Sequence, residues 1–422
     1  MKGNIAEMMN KRRMILPTII MLLFFICSSE SLIVGTNSSR IAWIIYTTAH
    51  YVVFFLLSFR LITVKAIKFN SFIPMLAVVL FILINFLFAD GSNKISTYMH
   101  ICIVIINSWL IVEQFSFDKF VSVFEKAIFV MAIYSLVIYV IALIAPGIIR
   151  SLPVIENIEG NHYYSAGLAI ISQSGLDSGT LFRSFGVFRE PGMYQIFLNL
   201  AFCIYLFYQK GSNILKIAVY ILAILSTVST TGIVGMLLIF VIFIITSNVK
   251  RKWLIVLLLL GAVGLLYWLI STFDIFSNSM TKLQNEEDAS TIARLYSIVA
   301  NLKIWLSYPL FGSGMSVNSE MFPQLIVNAT KEDVVDNTNT YMYILSCFGL
   351  VPFFVFMFGL YKVSKKMIKK SAFLLFTVFL VLLAGENFLY SSFAWIFALY
   401  GFARNYTGPE VNEKTVSSLE KN

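Results

Sequence analysis

Charge is what this sequence has least of. Of 422 residues only 13% are charged, while 59% are hydrophobic; soluble domains carry about 25% charged residues. A water-soluble core of this length could not absorb so much apolar surface without exposing large patches, so a soluble enzyme or binding module is excluded. Cysteine and histidine are scarce too. Cys27, Cys102, Cys203 and Cys347 each lie in or beside an apolar run, with no C-x-x-C pair, and His50, His100 and His162 are widely spread. Neither a disulfide framework nor a zinc cage is expected, although acidic side chains could hold Mg²⁺ or Ca²⁺. There is no clear internal repeat, which argues against an inverted-repeat transporter.

What is abundant is bulky apolar sequence, including 39 Phe. The start imitates a secretory signal, with Lys11, Arg12 and Arg13 ahead of the apolar Met14–Cys27. Ser28–Ser31 makes a poor cleavage site, so a retained first helix is expected. Runs able to cross about 30 Å of hydrocarbon fall at 14–34, 41–61, 72–89, 95–112, 124–145, 191–208, 214–229, 231–247, 253–272, 341–361, 371–386 and 388–403. The expectation is an all-α integral membrane protein, one polytopic domain over 1–422 with about twelve transmembrane helices. The tight link at Ser229–Gly232 suits a hairpin turn buried in protein. With the N-terminus inside, most Lys and Arg fall on inner segments, among them Arg60, Lys65 and Lys68, then Lys250, Arg251 and Lys252, then Lys362, Lys365, Lys366, Lys369 and Lys370. The positive-inside rule thus predicts a bacterial inner-membrane protein with both termini cytoplasmic. The net charge of +9 reflects that topology, not nucleic-acid binding.

Two outer loops stand out, at about 146–190 and about 273–340, each longer than connecting loops usually are. Both are expected to contain short helices. The second carries Glu286, Glu287 and Asp288 and a surface helix over Thr291–Ser307, where Leu295, Ile298, Val299, Leu302, Trp305 and Leu306 recur at three- and four-residue spacing. That helix is expected to lie along the membrane surface or to cap a cavity, with Arg294, Ser297, Asn301 and Lys303 on its polar side.

The sharpest segment is Arg183–Tyr194, with Pro191 opening the helix 191–208. Glu190 and Arg189 then sit at a helix N-terminus, whose amides and dipole attract an anionic group. Arginine forks match phosphate oxygens; equally, Arg183 or Arg189 can pair with Glu190 or Asp177 to close the loop. Arg294 sits where a helix start disfavours a cation, so Asp288, a ligand phosphate or solvent must compensate. The turn Phe311-Gly-Ser-Gly314 allows close backbone approach. Tyr163 and Tyr164 suit stacking on a sugar ring or anchoring at an interface. His50 and His100 are read as histidines bonded to neighbouring helices, and Glu386–Asn387 as a polar turn.

Arg-x-x-Gly-x-Phe-x-Glu-Pro-Gly, as Arg183–Gly192, resembles a segment of O-antigen and capsular polysaccharide polymerases. Leu225-Ser-x-x-Ser-Thr-Thr-Gly232, Arg294 leading into Trp305-x-x-x-Pro-Leu-Phe-Gly-Ser-Gly314, and Thr338-Asn-Thr-Tyr341 with Gly349 after it are similar too, in the family's order. The related O-antigen ligases carry a histidine just before the Asn of the last motif; here that position is Thr338. The resemblance implies a polymerase joining undecaprenyl-diphosphate-linked repeat units on the outer face, without a metal or cofactor, with a flippase and a chain-length regulator as partners. It implies Arg183, Arg189, Glu190 and Arg294 as catalytic groups, and Gly186, Gly192, Gly312, Gly314, Asn339 and Tyr341 as substrate-binding. A ligase, or a lipid-linked oligosaccharide flippase or transporter, is the alternative.

Overall fold

The computed structural model describes residues 31–32, 40–64, 69–157, 160–177, 182–246, 261, 264, 288–330 and 337–403. The expected spans 14–34 and 253–272 fall almost wholly outside these, as do Glu286 and Glu287. The described residues are mostly helical. Helices α1 (Arg40–Val64), α2 (Phe69–Phe88), α3 (Ile95–Gln114) and α4 (Phe117–Ile144) follow the long apolar runs. After a short α5 (Pro146–Arg150), strands β1 (Val154–Glu156), β2 (His162–Ser165) and β3 (Ile170–Ser172) precede the short α6 (Gln173–Asp177). Then come α7 (Pro191–Cys203), continued by a π-turn over Ile204–Tyr208, α8 (Ile214–Ser226) and α9 (Thr230–Thr246). The remainder is α10 (Asp288–Ser307), α11 (Gly314–Thr330), α12 (Thr340–Phe348), α13 (Leu350–Met367), α14 (Ala372–Ala384) and α15 (Ser392–Tyr400).

Among the described residues four segments are long and apolar enough to cross a membrane: Asn70–Phe88, Ile95–Gln114, Phe117–Ile144 and Pro191–Tyr208. Shorter apolar helices occur at Trp43–Phe59, Ile214–Ser226, Thr230–Thr246 and Ala372–Ala384. Large apolar side chains point outward, with Ile41 71% and Phe59 70% exposed. Water would penalise that arrangement and hydrocarbon does not, so this is a membrane protein. Local chemistry starts several helices. Ser116 accepts a hydrogen bond from the Lys119 amide at the head of α4, and Asn213 does so for the Leu215 and Lys216 amides of α8.

Helix α7 is the centre of the bundle. Every side chain from Met193 to Cys203 is buried, against α4, α8 and α9. A polar group inside such a helix must be satisfied by protein. The Asn199 amide accordingly donates to Gln195 Oε1 (3.0 Å) and to the Gly232 carbonyl of α9 (3.1 Å). The α8–α9 link is the tight turn expected from Ser229–Gly232, and Thr227, Ser229 and Gly232 are buried in it.

Four expectations need correction. The run 341–361 is not one helix: Gly349, at φ 80°, separates α12 from α13. The chain is also not purely α-helical, because β1, β2 and β3 form an antiparallel sheet in the first long loop, in register Ile155 with Tyr163 and Tyr164 with Ile171. Tyr163 and Tyr164 are neither a sugar platform nor interface anchors. Both are buried on β2, Tyr163 against Leu32, Ile170 and Phe185 and Tyr164 against Ala142, Ile149 and Phe182.

The fourth correction concerns α10. The helix forms as expected, with Lys303 exposed, but Ser297 and Asn301 of its polar side are buried. Ser297 and Asn301 are 2% and 0% exposed, while Val299, Leu302 and Leu306 face outward. Ala300 and Ile304 join them inside, packing on Phe322 and Ile326 of α11. The polar side chains can be buried because each finds a partner. Asn301 and Asn337 exchange two amide hydrogen bonds (3.0 and 2.7 Å), and Ser346 of α12 donates to Asn301 Oδ1 (2.6 Å). Asn318 of α11 donates in turn to Ser346 (2.8 Å). Near a membrane, an apolar stripe faces lipid and a polar stripe faces protein, the reverse of the soluble pattern.

Candidate functional site

The first long loop delivers Arg183 and Arg189 to one end of the bundle. Ser184 pairs with Ile171 of β3 and its amide donates to the Ser226 carbonyl at 2.9 Å. Arg183 Nε donates to the Thr227 carbonyl at 3.0 Å. The first of the sequence motifs is therefore fastened to the second, the α8–α9 turn. Gly186 is buried against the ring of Tyr194, whose hydroxyl meets Ser135 of α4 at 2.6 Å. Phe188 stacks on Phe197, one helix turn further along the buried face of α7.

Between the two readings of the loop acids, the structure assigns partners. Asp177 pairs with Arg150 at 2.9 Å, on the surface, not with Arg183 or Arg189. Arg189 lies 3.6 Å from Glu190, a contact that leaves the Glu190 side chain 51% exposed. Glu190 is the N-cap of α7 by backbone geometry, yet its side chain makes no cap hydrogen bond.

The last motif arrives from the opposite end of the sequence. Asn339 caps α12, its Oδ1 accepting from the Met342 amide at 3.1 Å. Its own backbone amide donates to Asn337 Oδ1 (3.4 Å), so α12 is tied to α10 through the Asn301–Asn337 pair. Tyr341 is half-buried beside Asn339. Arg294 lies in α10, and its side chain falls outside the described part of the structure.

The turn between α14 and α15 joins these pieces. Thr340 Oγ1 donates to the Glu386 carbonyl (2.5 Å) and accepts from the Phe388 amide (3.0 Å). Gly385 lies beside Thr231 at the start of α9, and the Glu386 carboxylate lies against Gly192 at the start of α7. The N-termini of α7, α9 and α12 therefore meet around residues 385–388, and each contributes partial positive charge. This is the polar centre of the bundle end, and Glu386, only 6% exposed, is its buried acid.

Gly312 and Gly314 belong to a neighbouring knot. Asn85 of α2 donates to the carbonyls of Phe311 (2.7 Å) and Cys347 (2.9 Å), and accepts from Tyr98 (2.7 Å). Tyr98 and Asn93 in turn accept the amides of Met315 and Ser316 at the head of α11. The turn is thereby packed onto α2 and α12.

His50 is hydrogen-bonded to the Tyr46 carbonyl of its own helix (3.0 Å), and its other nitrogen lies 3.5 Å from Ser392 of α15. Its ring packs edge-on against His100. Sequence reasoning missed Glu386 as anything but a turn residue, and it missed the Ser297–Asn301–Asn337–Ser346 network. The second had a signal: Ser297 and Asn301, four apart, mark a polar stripe. Glu386 had none, because its partner Gly192 is remote in sequence.

The fold and this centre define a polytopic helical membrane protein with a polar site at one end of its bundle. Residues 215–357 match the family Wzy_C, described as O-antigen ligase. That match covers about a third of the chain, and it bears out the resemblance to the O-antigen ligase and polymerase superfamily. No curated protein matches the chain.

Proposed function

We propose that the chain is a membrane glycosyltransferase that polymerises undecaprenyl-diphosphate-linked oligosaccharide repeat units on the outer face of the bacterial inner membrane. The observation that carries this reading is the meeting of the separate motifs at one end of the bundle. Arg183 bonds the 225–232 turn, Asn339 joins α10 through Asn337, and Thr340 and Gly192 both touch Glu386. A lipid-linked substrate suits the outward-facing apolar side chains of α10, such as Val299, Leu302 and Leu306.

In the reaction, a terminal hydroxyl of the acceptor unit attacks the anomeric carbon of the donor glycan. The bond from that carbon to the diphosphate oxygen breaks, and undecaprenyl diphosphate leaves. Arg183, Arg189 and Arg294 hold the diphosphate and stabilise the negative charge that grows on it. Glu190, exposed at the loop end, takes the proton from the attacking hydroxyl or orients Arg189. Asn339 and Tyr341 line the acceptor side, while Gly186, Gly312 and Gly314 shape the walls. A chain-length regulator and a flippase would work beside it.

Polymerase is favoured over ligase by Thr338, which stands where the ligases carry their histidine before Asn339. A deletion strain separates the readings. Loss of a polymerase leaves single repeat units on the lipid carrier or its final acceptor. Loss of a ligase leaves long polymer on the carrier, and loss of a flippase leaves no units outside. For the proton acceptor, Glu190→Gln is expected to reduce turnover by about 100-fold. A rate unchanged across pH removes Glu190 from that role.

A further inference from the structure

We propose that Glu386 is a positioning residue for transfer: its buried carboxylate occupies the N-terminal end of α7 that a substrate anion would otherwise take, and so sets Arg189 and Glu190. This rests on the function proposed above. Three observations carry it.

The first is location. A Cβ at position 192 would fall on the Glu386 carboxylate, so glycine there is what admits the acid to the first turn of α7. The second is the vacancy it fills. Helix α7 begins with Pro191, and Glu190 at its N-cap makes no side-chain cap hydrogen bond. The amides of the first turn and the positive end of the dipole need an anion. The Glu386 carboxylate, from another helix pair, lies against that first turn at Gly192. The third is anchorage. Thr340 receives the Phe388 amide and donates to the Glu386 carbonyl, so the turn carrying the acid is fixed to the residue next to Asn339.

The arrangement bears on specificity of roles. With Glu386 seated at α7, that helix start is not the diphosphate site expected from the sequence, and the lipid phosphates are left to the arginines. A buried carboxylate against a helix N-terminus is also a rigid strut between the Arg183–Gly192 segment and the Thr338–Tyr341 segment. Reacting groups displaced by about 1 Å lose about 100-fold in rate, so the strut matters to turnover although Glu386 need not touch substrate.

The test uses the full-length protein in membranes, assayed with lipid-linked repeat units. Glu386→Gln keeps the shape and removes the charge; it is expected to reduce kcat by about 10- to 100-fold with KM and protein level unchanged. Gly192→Ala is expected to be as damaging, because its methyl displaces the carboxylate. Combining Gly192→Ala with Glu386→Asp, which withdraws the acid by one methylene, is expected to recover activity above either single variant. Full activity of Glu386→Gln, or no recovery in the double variant, overturns the proposal. If Arg183→Ala and Arg294→Ala still lose activity in that case, the glycosyltransferase reading stands without it. If neither arginine variant changes the glycan, the function itself has failed.

Discussion

Replacing Arg183 by alanine is expected to lower polymerisation by about 100- to 1,000-fold while leaving the amount of protein in the membrane unchanged. The magnitude is that of removing one preorganised donor aimed at developing charge. The structural part of the expectation comes from exposure and partners. Arg183 is exposed, and its Nε bond runs to the carbonyl of the buried Thr227 in the α8–α9 turn. That bond helps to fix the plane of the guanidinium. Arg183→Lys keeps the charge but not the planar fork, so it is expected to restore a minor part of the rate. The measurement is chain elongation from purified lipid-linked units, with thermal unfolding followed in parallel. Wild-type turnover in the alanine variant would remove Arg183 from the mechanism. Parallel loss of turnover and of thermal stability would make it a loop-closing residue, the role that Arg150 fills with Asp177.

The sequence was most readable where lipid imposes the rule. Long apolar runs became α1 to α4 and α7 to α9 because hydrocarbon leaves a helix as the only way to satisfy the backbone. It was least readable where protein replaces lipid as the surroundings. Strands of three or four residues, such as β1 and β3, are too short to show alternation. The break at Gly349 sits inside an unbroken apolar run, since the apolar surroundings continue while the hydrogen-bond ladder does not. On α10 the periodicity was visible but its direction was not: Val299, Leu302 and Leu306 mark a face, and only the partners of Asn301 show which side is buried. For the site, motif order along the chain singled out Arg183, Arg189, Asn339 and Tyr341 as candidates. Glu386 was hidden because its significance is a contact with a glycine on another helix.

The same distinction between touching substrate and holding the frame gives the largest expected effect on stability. Gly312→Ala is expected to destabilise the fold by about 2–5 kcal/mol before any substrate is present. Gly312 has φ 77°, a left-handed conformation that costs an L-residue roughly 1–2 kcal/mol. The added methyl would also run into the Cys347 carbonyl and the Phe348 amide, which are backbone atoms of α12 and cannot rotate aside. Relief would require α12 to move from the turn. That would break the Asn85 bonds to the Phe311 and Cys347 carbonyls and the 2.8 Å bond from the Ser313 amide to the Ser346 carbonyl. Ser346 also donates to Asn301, so the displacement would reach α10 and the loop that ends at Asn339. The expected signature is reduced protein level and a lower unfolding midpoint in detergent, with the loss of polymer following from them. A variant that keeps wild-type stability but has a raised KM for the lipid-linked unit would show that Gly312 meets the substrate directly.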